Sequence, residues 1–163
     1  MTNKERALLV AEKAHSNQYY DIYPYIYHIR QVVAIAEDLG FDEAIIVSSV
    51  LHDTLEDTDL SYNDIKKAFG QEVAEIVYAV TDELGRNRTE RKAKTYPKIK
   101  QNWKATVVKV CDRIANATQS KLYNQGLFKM YQKENQDFIQ NIKSTEHPSD
   151  VDKAWDRLSK ILS

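Results

Sequence analysis

One cysteine, Cys111, stands in 163 residues, so no disulfide can close within the chain, and a reducing compartment is the expectation. Only four glycines and three prolines are present, which leaves little material for a turn-rich β architecture and favours helices. Neither charge dominates: 23 basic side chains face 24 acidic ones, a net charge of -1, and no overall basic field draws the chain to nucleic acid or an anionic membrane. No apolar run approaches the roughly 20 residues of a membrane span. The first residues, Met1 to Arg6, lead straight into an amphipathic pattern without the apolar core of a signal peptide, so a cytoplasmic location is expected. What remains is 42% hydrophobic and 29% charged, the composition of one globular domain with a core of its own.

The hydrophobic period is helical almost throughout. Residues 4–15 form a first helix with Asn3 as its N-cap. Residues 16–24, rich in tyrosine and ending at Pro24, form a loop or short hairpin. A second helix covers 25–39 and stops at Gly40, with His28 turned inward beside Val32 and Ile35. A third starts near Asp42, is apolar on almost every side, and runs through the His52-Asp53 stretch until Thr58-Asp59-Leu60 breaks it. Ser61 and Asp64 resemble a capping box for a helix ending at Gly70, and another helix covers 71–81. Residues 82–96 fit either a loop or a helix from about Thr89, and carry a basic cluster with Arg88 and Lys92 at its centre. Ile99 to Ser120 keep helical spacing, with Lys109, Asp112 and Asn116 as a separate polar row. Helices over 126–143 and 150–162 follow. The class is all-α, with about seven or eight helices in a single domain over 1–163.

The chemistry concentrates in Leu51-His52-Asp53-Thr54-Leu55-Glu56-Asp57-Thr58. On one continuous helix, advancing about 100° per residue, His52, Asp53, Glu56 and Asp57 share a narrow arc. Carboxylates crowded in this way repel one another unless a cation joins them. His28 on the preceding helix and Asp112 on a later one complete a set of two imidazoles and two carboxylates. A mixed nitrogen and oxygen set suits a first-row divalent ion such as Mn²⁺, Fe²⁺ or Zn²⁺. Taken singly, these residues have plainer readings: a core histidine for His28, a salt-bridge partner of Lys109 or Arg113 for Asp112, and a solvated loop for the basic segment.

In combination, His28, Leu51 to Thr58, and Lys109-Val110-Cys111-Asp112-Arg113-Ile114-Ala115-Asn116 resemble the HD-domain metal-dependent phosphohydrolases. The hydrolase domain of the RelA/SpoT enzymes and the small stand-alone alarmone hydrolases are the nearest likeness. His15-Ser16-Asn17-Gln18, Pro24-Tyr25-Ile26-Tyr27-His28, Phe69-Gly70 and Val80-Thr81 belong to the same likeness, which spans about residues 5–120; residues 121–163 carry none of it. The resemblance implies an HD-type helical bundle and Mn²⁺ held by His28, His52, Asp53 and Asp112. It implies Glu56 and Asp57 as the pair acting on water and the leaving group, and Asn116 as a nucleotide contact. It implies hydrolysis of (p)ppGpp at its 3′ position. Lys109, Arg113 and the basic segment, Arg88 included, are candidates for holding phosphoryl oxygens.

This chain departs from the pattern at one place that matters. The alarmone hydrolases carry an Arg-Lys pair where Tyr20-Asp21 stands here; Asn17 also replaces a glycine, and Ile29 follows His28 in place of proline. Tyr20 remains able to stack on a base, whereas Asp21 repels a phosphate. Other nucleotides, such as NADPH, a dNTP or a mononucleotide, therefore stay open as substrates. So do a nucleotide-binding module without turnover and an all-α interaction protein. The expected partner is a small nucleotide, not nucleic acid or membrane; oligomeric state is not legible.

Overall fold

The computed structural model describes residues 1–163. The chain folds around its longest helix, α8 (Trp103–Tyr123), which buries thirteen of its residues and touches helices on every side. In chain order, α1 (Asn3–Ala14) leads to a two-stranded hairpin, β1 (Tyr19–Tyr20) and β2 (Tyr23–Pro24). Then come α2 (Ile26–Asp38), α3 (Glu43–Leu51), the single turn α4 (Thr54–Asp57), α5 (Tyr62–Phe69) and α6 (Gln71–Val80). After a loop, α7 (Arg88–Lys100), α8, α9 (Gln125–Ile142), a 3₁₀ turn at Ser149–Val151 and α10 (Asp152–Leu162) complete the chain. The all-α expectation holds, with ten α-helices, one of them a single turn, in place of seven or eight. No helix is long and apolar enough to cross a membrane.

The core is a continuous cluster of 38 buried hydrophobic residues. Helix α3 supplies Ile45, Ile46, Val47, Val50 and Leu51, and α8 supplies Val107, Val108, Val110 and Ile114. Each aliphatic side chain fully removed from water contributes about 1.5–3 kcal/mol. Burial on this scale lets the same two helices carry His52 and Asp112 into the interior.

Three boundaries differ from the expectation, each for a local reason. Thr2, not Asn3, caps α1: its hydroxyl accepts from the Glu5 amide while the Glu5 carboxylate accepts from the Thr2 amide, a full capping box. Ile99 belongs to α7, not to the following helix. Pro97 sits inside α7 with its missing hydrogen bond on the exposed side, and Asn102 ends the run by accepting from the amides of Lys104 and Ala105 to start α8. The third break falls in the central stretch. Helix α3 stops at Leu51, His52 and Asp53 form a turn, and Asp53 becomes the cap position of α4. The capping box at Ser61 and Asp64 is present as expected, and α5 ends on Gly70, whose φ of 95° is open to glycine and costly for other residues.

Candidate metal centre and its cavity

The break after Leu51 aims the central stretch. A continuous helix would carry His52 and Asp53 around its cylinder. The turn points both into a cavity of about 230 Å³ between α2, α4, α7 and α8. The Thr54 hydroxyl donates to the Leu51 carbonyl at 2.7 Å and closes the interruption. Glu56 and Asp57 therefore lie in a separate single turn, α4, and not at the C-terminal end of the long apolar helix.

His28, His52 and Asp53 bring one ligand atom each to within 4.8 Å of one another, and Asp53, Glu56 and Asp57 form a second such group that shares Asp53. Asp112 closes the first group from α8. Its Oδ1 lies 2.9 Å from His28 Nε2 and 3.4 Å from His52 Nε2. His52 Nδ1 points at the Ser49 carbonyl, 2.7 Å away. A neutral imidazole that donates there presents a lone pair at Nε2, which faces the Asp53 carboxylate at 2.9 Å. Lone pair against carboxylate is repulsive unless a proton or a cation stands between them. Without a cation the proton takes that place: burial pulls the His52 pKa down, but the carboxylates of Asp53 and Asp112 outweigh it and raise the pKa well above its usual value.

The charge balance points the same way. Asp53, Glu56, Asp57, Asp82 and Asp112 line the cavity against three cationic side chains, Arg88, Lys92 and Lys109. Two negative charges remain, the charge of one divalent cation. The donor set and the surplus both fit such an ion, with His28, His52, Asp53 and Asp112 as the residues to hold it.

Supporting contacts fix these groups. The Tyr25 hydroxyl donates to Asp53 Oδ2, and burial together with Asp53 keeps that phenol protonated. Lys109 Nζ lies 3.2 Å from Asp112 Oδ2, and Asn116 Nδ2 donates to Asp112 Oδ1 at 3.0 Å. Burial opposes the Asp112 charge, yet Lys109 and the two histidines hold its pKa well below the usual carboxylate range. His28 has no polar support on its far side: its Nδ1 is buried without a partner, and its ring rests against Tyr20 at 4.5 Å. Glu56 and Asp57 behave differently. Partial burial, reinforced by Asp53, raises both pKa values. Glu56 Oε1 accepts from the Asp82 amide at 2.8 Å, and the Asp57 carbonyl accepts from Gln18 Nε2 at 2.6 Å.

Among the expected substrate contacts, Tyr20, Arg88, Lys109 and Asn116 reach the cavity. Arg113 does not. It is buried beneath α9, its guanidinium 4.1 Å from the Phe138 ring and 4.7 Å from that of Tyr131, with Nη1 3.3 Å from Glu134. It serves the cavity only through Glu134, which also takes both Arg88 contacts, at 2.9 and 3.1 Å. Lys92, which the sequence marks only as part of a basic segment, enters the cavity with its ammonium 3.0 Å from both Asp82 oxygens. Tyr25 has no polar pattern around it in the sequence to mark it. A larger concavity, about 770 Å³ beside Tyr62, Tyr78 and Trp103, contains a single carboxylate, Glu75, and no histidine. Size alone points to the wrong face.

The HD domain family, represented by its sequence model, matches residues 7–138. This chain belongs to the HD domain family. Among individual relatives, the HD domain is 37% identical over 98 residues to a guanosine-3′,5′-bis(diphosphate) 3′-pyrophosphohydrolase of Aquifex aeolicus, covering 57% of this chain and 14% of that protein. It is 34% identical over 96 residues to the Drosophila melanogaster guanosine-3′,5′-bis(diphosphate) 3′-pyrophosphohydrolase MESH1, covering 57% of this chain and 54% of the fly protein. Escherichia coli SpoT, a bifunctional (p)ppGpp synthase/hydrolase, matches at 34% over 119 residues, 68% of this chain and 17% of SpoT. The chain thus spans about half of the fly relative and a small part of the bacterial ones. Among solved structures, a metazoan orthologue of SpoT superposes with a TM-score of 0.79 at 24% identity over 98% of this chain and 95% of that one, a likeness of fold. A Listeria monocytogenes protein superposes with a TM-score of 0.66 at 28% identity, covering 86% of this chain and 98% of that one.

Proposed function

We propose that this HD domain is a metal-dependent nucleotide phosphohydrolase, and that its substrate is guanosine-3′,5′-bis(diphosphate) or a close relative, cut at the 3′ position. The observation that carries the reading is the meeting of two kinds of group in one cavity. The ligand set of His28, His52, Asp53 and Asp112 lies beside the partly buried Glu56-Asp57 pair, with Lys109 next to Asp112 and Arg88 and Lys92 reaching in from α7. Relatives named for this activity support it.

Mn²⁺ is the proposed ion, with Fe²⁺ or Zn²⁺ as substitutes; when bound it supplies electrophilic charge and makes water more acidic. The chain's own groups do the rest. Glu56, held by the Asp82 amide, takes a proton from the attacking water, and its raised pKa brings it closer to the working pH. Asp57 returns a proton to the leaving sugar oxygen. One water oxygen–phosphorus bond forms and the ester bond to the sugar breaks. Arg88, Lys92 and Lys109 face the phosphoryl oxygens, and Lys92 is released from Asp82 as the anion enters. The proposed partner is the small nucleotide itself, and the proposed setting is the cytoplasm.

The test is a nucleotide screen with added Mn²⁺, including ppGpp, NADPH and dNTPs, with product analysis. GDP and pyrophosphate from ppGpp are the expected products. Tyr20 and Asp21 at the rim favour a second reading, another nucleotide phosphate as substrate, which the same screen identifies. No hydrolysis of any compound would sink the proposal.

A further inference from the structure

One contact at the cavity rim belongs neither to the ligand set nor to the groups that face a phosphoryl anion. The Tyr20 hydroxyl donates to Asn116 Oδ1 at 2.8 Å, and Asn116 Nδ2 donates to Asp112 Oδ1 at 3.0 Å. Both ends of the Asn116 amide are therefore engaged within the protein. The Tyr20 ring lies nearly flat on His28, with 16° between the planes. The next residue fastens the hairpin again, since Asp21 Oδ2 accepts from Gln119 Nε2 at 3.3 Å. Asp21 adopts a φ of 54°, a left-handed conformation that Asp tolerates better than most residues. Tyr20 is thus placed on Asn116 by a turn that is itself tied to α8.

The cavity volume decides which part of a nucleotide meets this contact. About 230 Å³ is below the roughly 300 Å³ at which pockets begin to enclose a drug-sized ligand. The phosphoryl end fits inside and the nucleoside stays at the rim. Asn116 is the one side-chain amide on the cavity wall, and it carries a donor and an acceptor for a sugar without a charge of its own.

We propose that Tyr20 sets specificity by withholding Asn116 from the sugar, so that the site selects its substrate by the phosphoryl group and not by the nucleoside. The inference rests on the phosphohydrolase reading above. The Tyr20 ring covers His28, and its hydroxyl competes with a ribose hydroxyl for the Asn116 oxygen.

The experiment compares ppGpp, its 2′-deoxy counterpart and its adenosine counterpart with Mn²⁺. For the wild-type protein, kcat/KM is expected to agree within about threefold across the three, since no neutral hydrogen bond to sugar or base is made. Tyr20→Phe keeps the ring and its stack but removes the donor, freeing Asn116 Oδ1; the ribose-to-deoxyribose ratio should rise about fivefold, the effect of one neutral hydrogen bond. Adding Asn116→Ala to Tyr20→Phe should return the ratio to the wild-type value. A wild-type preference for ribose or guanine beyond about tenfold would overturn the inference, as would a Tyr20→Phe ratio equal to the wild type's. Equilibrium binding of the same three compounds gives the ratios without turnover. Matching ratios with no hydrolysis overturn the hydrolase reading and uphold the role of Tyr20, whereas no binding of any compound overturns both.

Discussion

The two walls of the cavity are built differently. The wall that holds His28, His52, Asp53 and Asp112 comes from α2, α3 and α8, whose other faces are packed into the core. The rim comes from a hairpin of two-residue strands, the loop over 81–87 and one face of α7. On the first wall, groups are fixed by burial and by hydrogen bonds between neighbouring helices. On the second, the hairpin is tied to α8 by the hydrogen bonds of Tyr20 and Asp21, and the cations are held by ion pairs that an entering anion can replace: Lys92 with Asp82 and Arg88 with Glu134. The difference suits a site that holds an ion permanently on one side and exchanges a charged substrate on the other.

Substitutions can break or sharpen that contrast, and the largest effects should fall on the packed wall. His52→Ala or Asp53→Ala should abolish divalent-ion binding and hydrolysis together, measured by metal analysis and by turnover. Glu56→Ala should keep the ion and lose about 10²- to 10⁴-fold in kcat, the range of a proton-transfer group. Normal turnover in that variant would remove Glu56 from its assigned role. Tyr25→Phe deletes the donor to Asp53 and should weaken ion affinity about 10- to 100-fold, as loss of a group supporting a ligand typically does.

At the rim the effects should be smaller and should depend on pH. Burial first, and then the charge of Lys109, push the Lys92 pKa down to about 8. Below that value the ammonium is charged and attracts a phosphoryl anion; above it the charge is lost. Substrate KM should therefore rise as the pH passes through 8. Lys92→Arg, charged at every accessible pH, should flatten that rise. A KM profile identical in both proteins would show that Lys92 does not meet the substrate. The smallest effect belongs to the loop tip, where Leu84 is 90% exposed: Leu84→Ser should change stability by no more than about 0.5 kcal/mol in a denaturant titration.

The amino-acid sequence reveals the two walls unequally. His28 and His52 are legible in it as polar residues on the inward side of apolar helices, with Asp53 beside His52 and Asp112 within the polar row of Lys109, Asp112 and Asn116; the HD likeness joins the four into one candidate ligand set. The break after Leu51 is not legible: Val50, Leu51, Thr54 and Leu55 continue the helical period across it, and the turn depends on the Thr54 hydroxyl reaching the Leu51 carbonyl. The boundary between α7 and α8 is hidden for a similar reason, since Ile99 and Trp103 keep helical spacing across the cap at Asn102. Arg113 looks like a substrate contact because it adjoins Asp112. Successive residues on a helix point about 100° apart, and that rotation carries Arg113 to the rings of Tyr131 and Phe138. Tyr25 and Lys92 owe their roles to residues 28 and 10 positions away, beyond the reach of local pattern.

Glu134 joins regions that the motifs keep apart. On α9, outside the segment bearing the HD signature residues, it receives Arg113 from the core and Arg88 from the rim. A chain cut after residue 123 would retain every signature residue, yet strip Arg113 of both Glu134 and the aromatic rings that cover it, and leave Arg88 without its anchor. For anyone trimming this protein to a minimal unit, the boundary of the motif is therefore not the boundary of the working part.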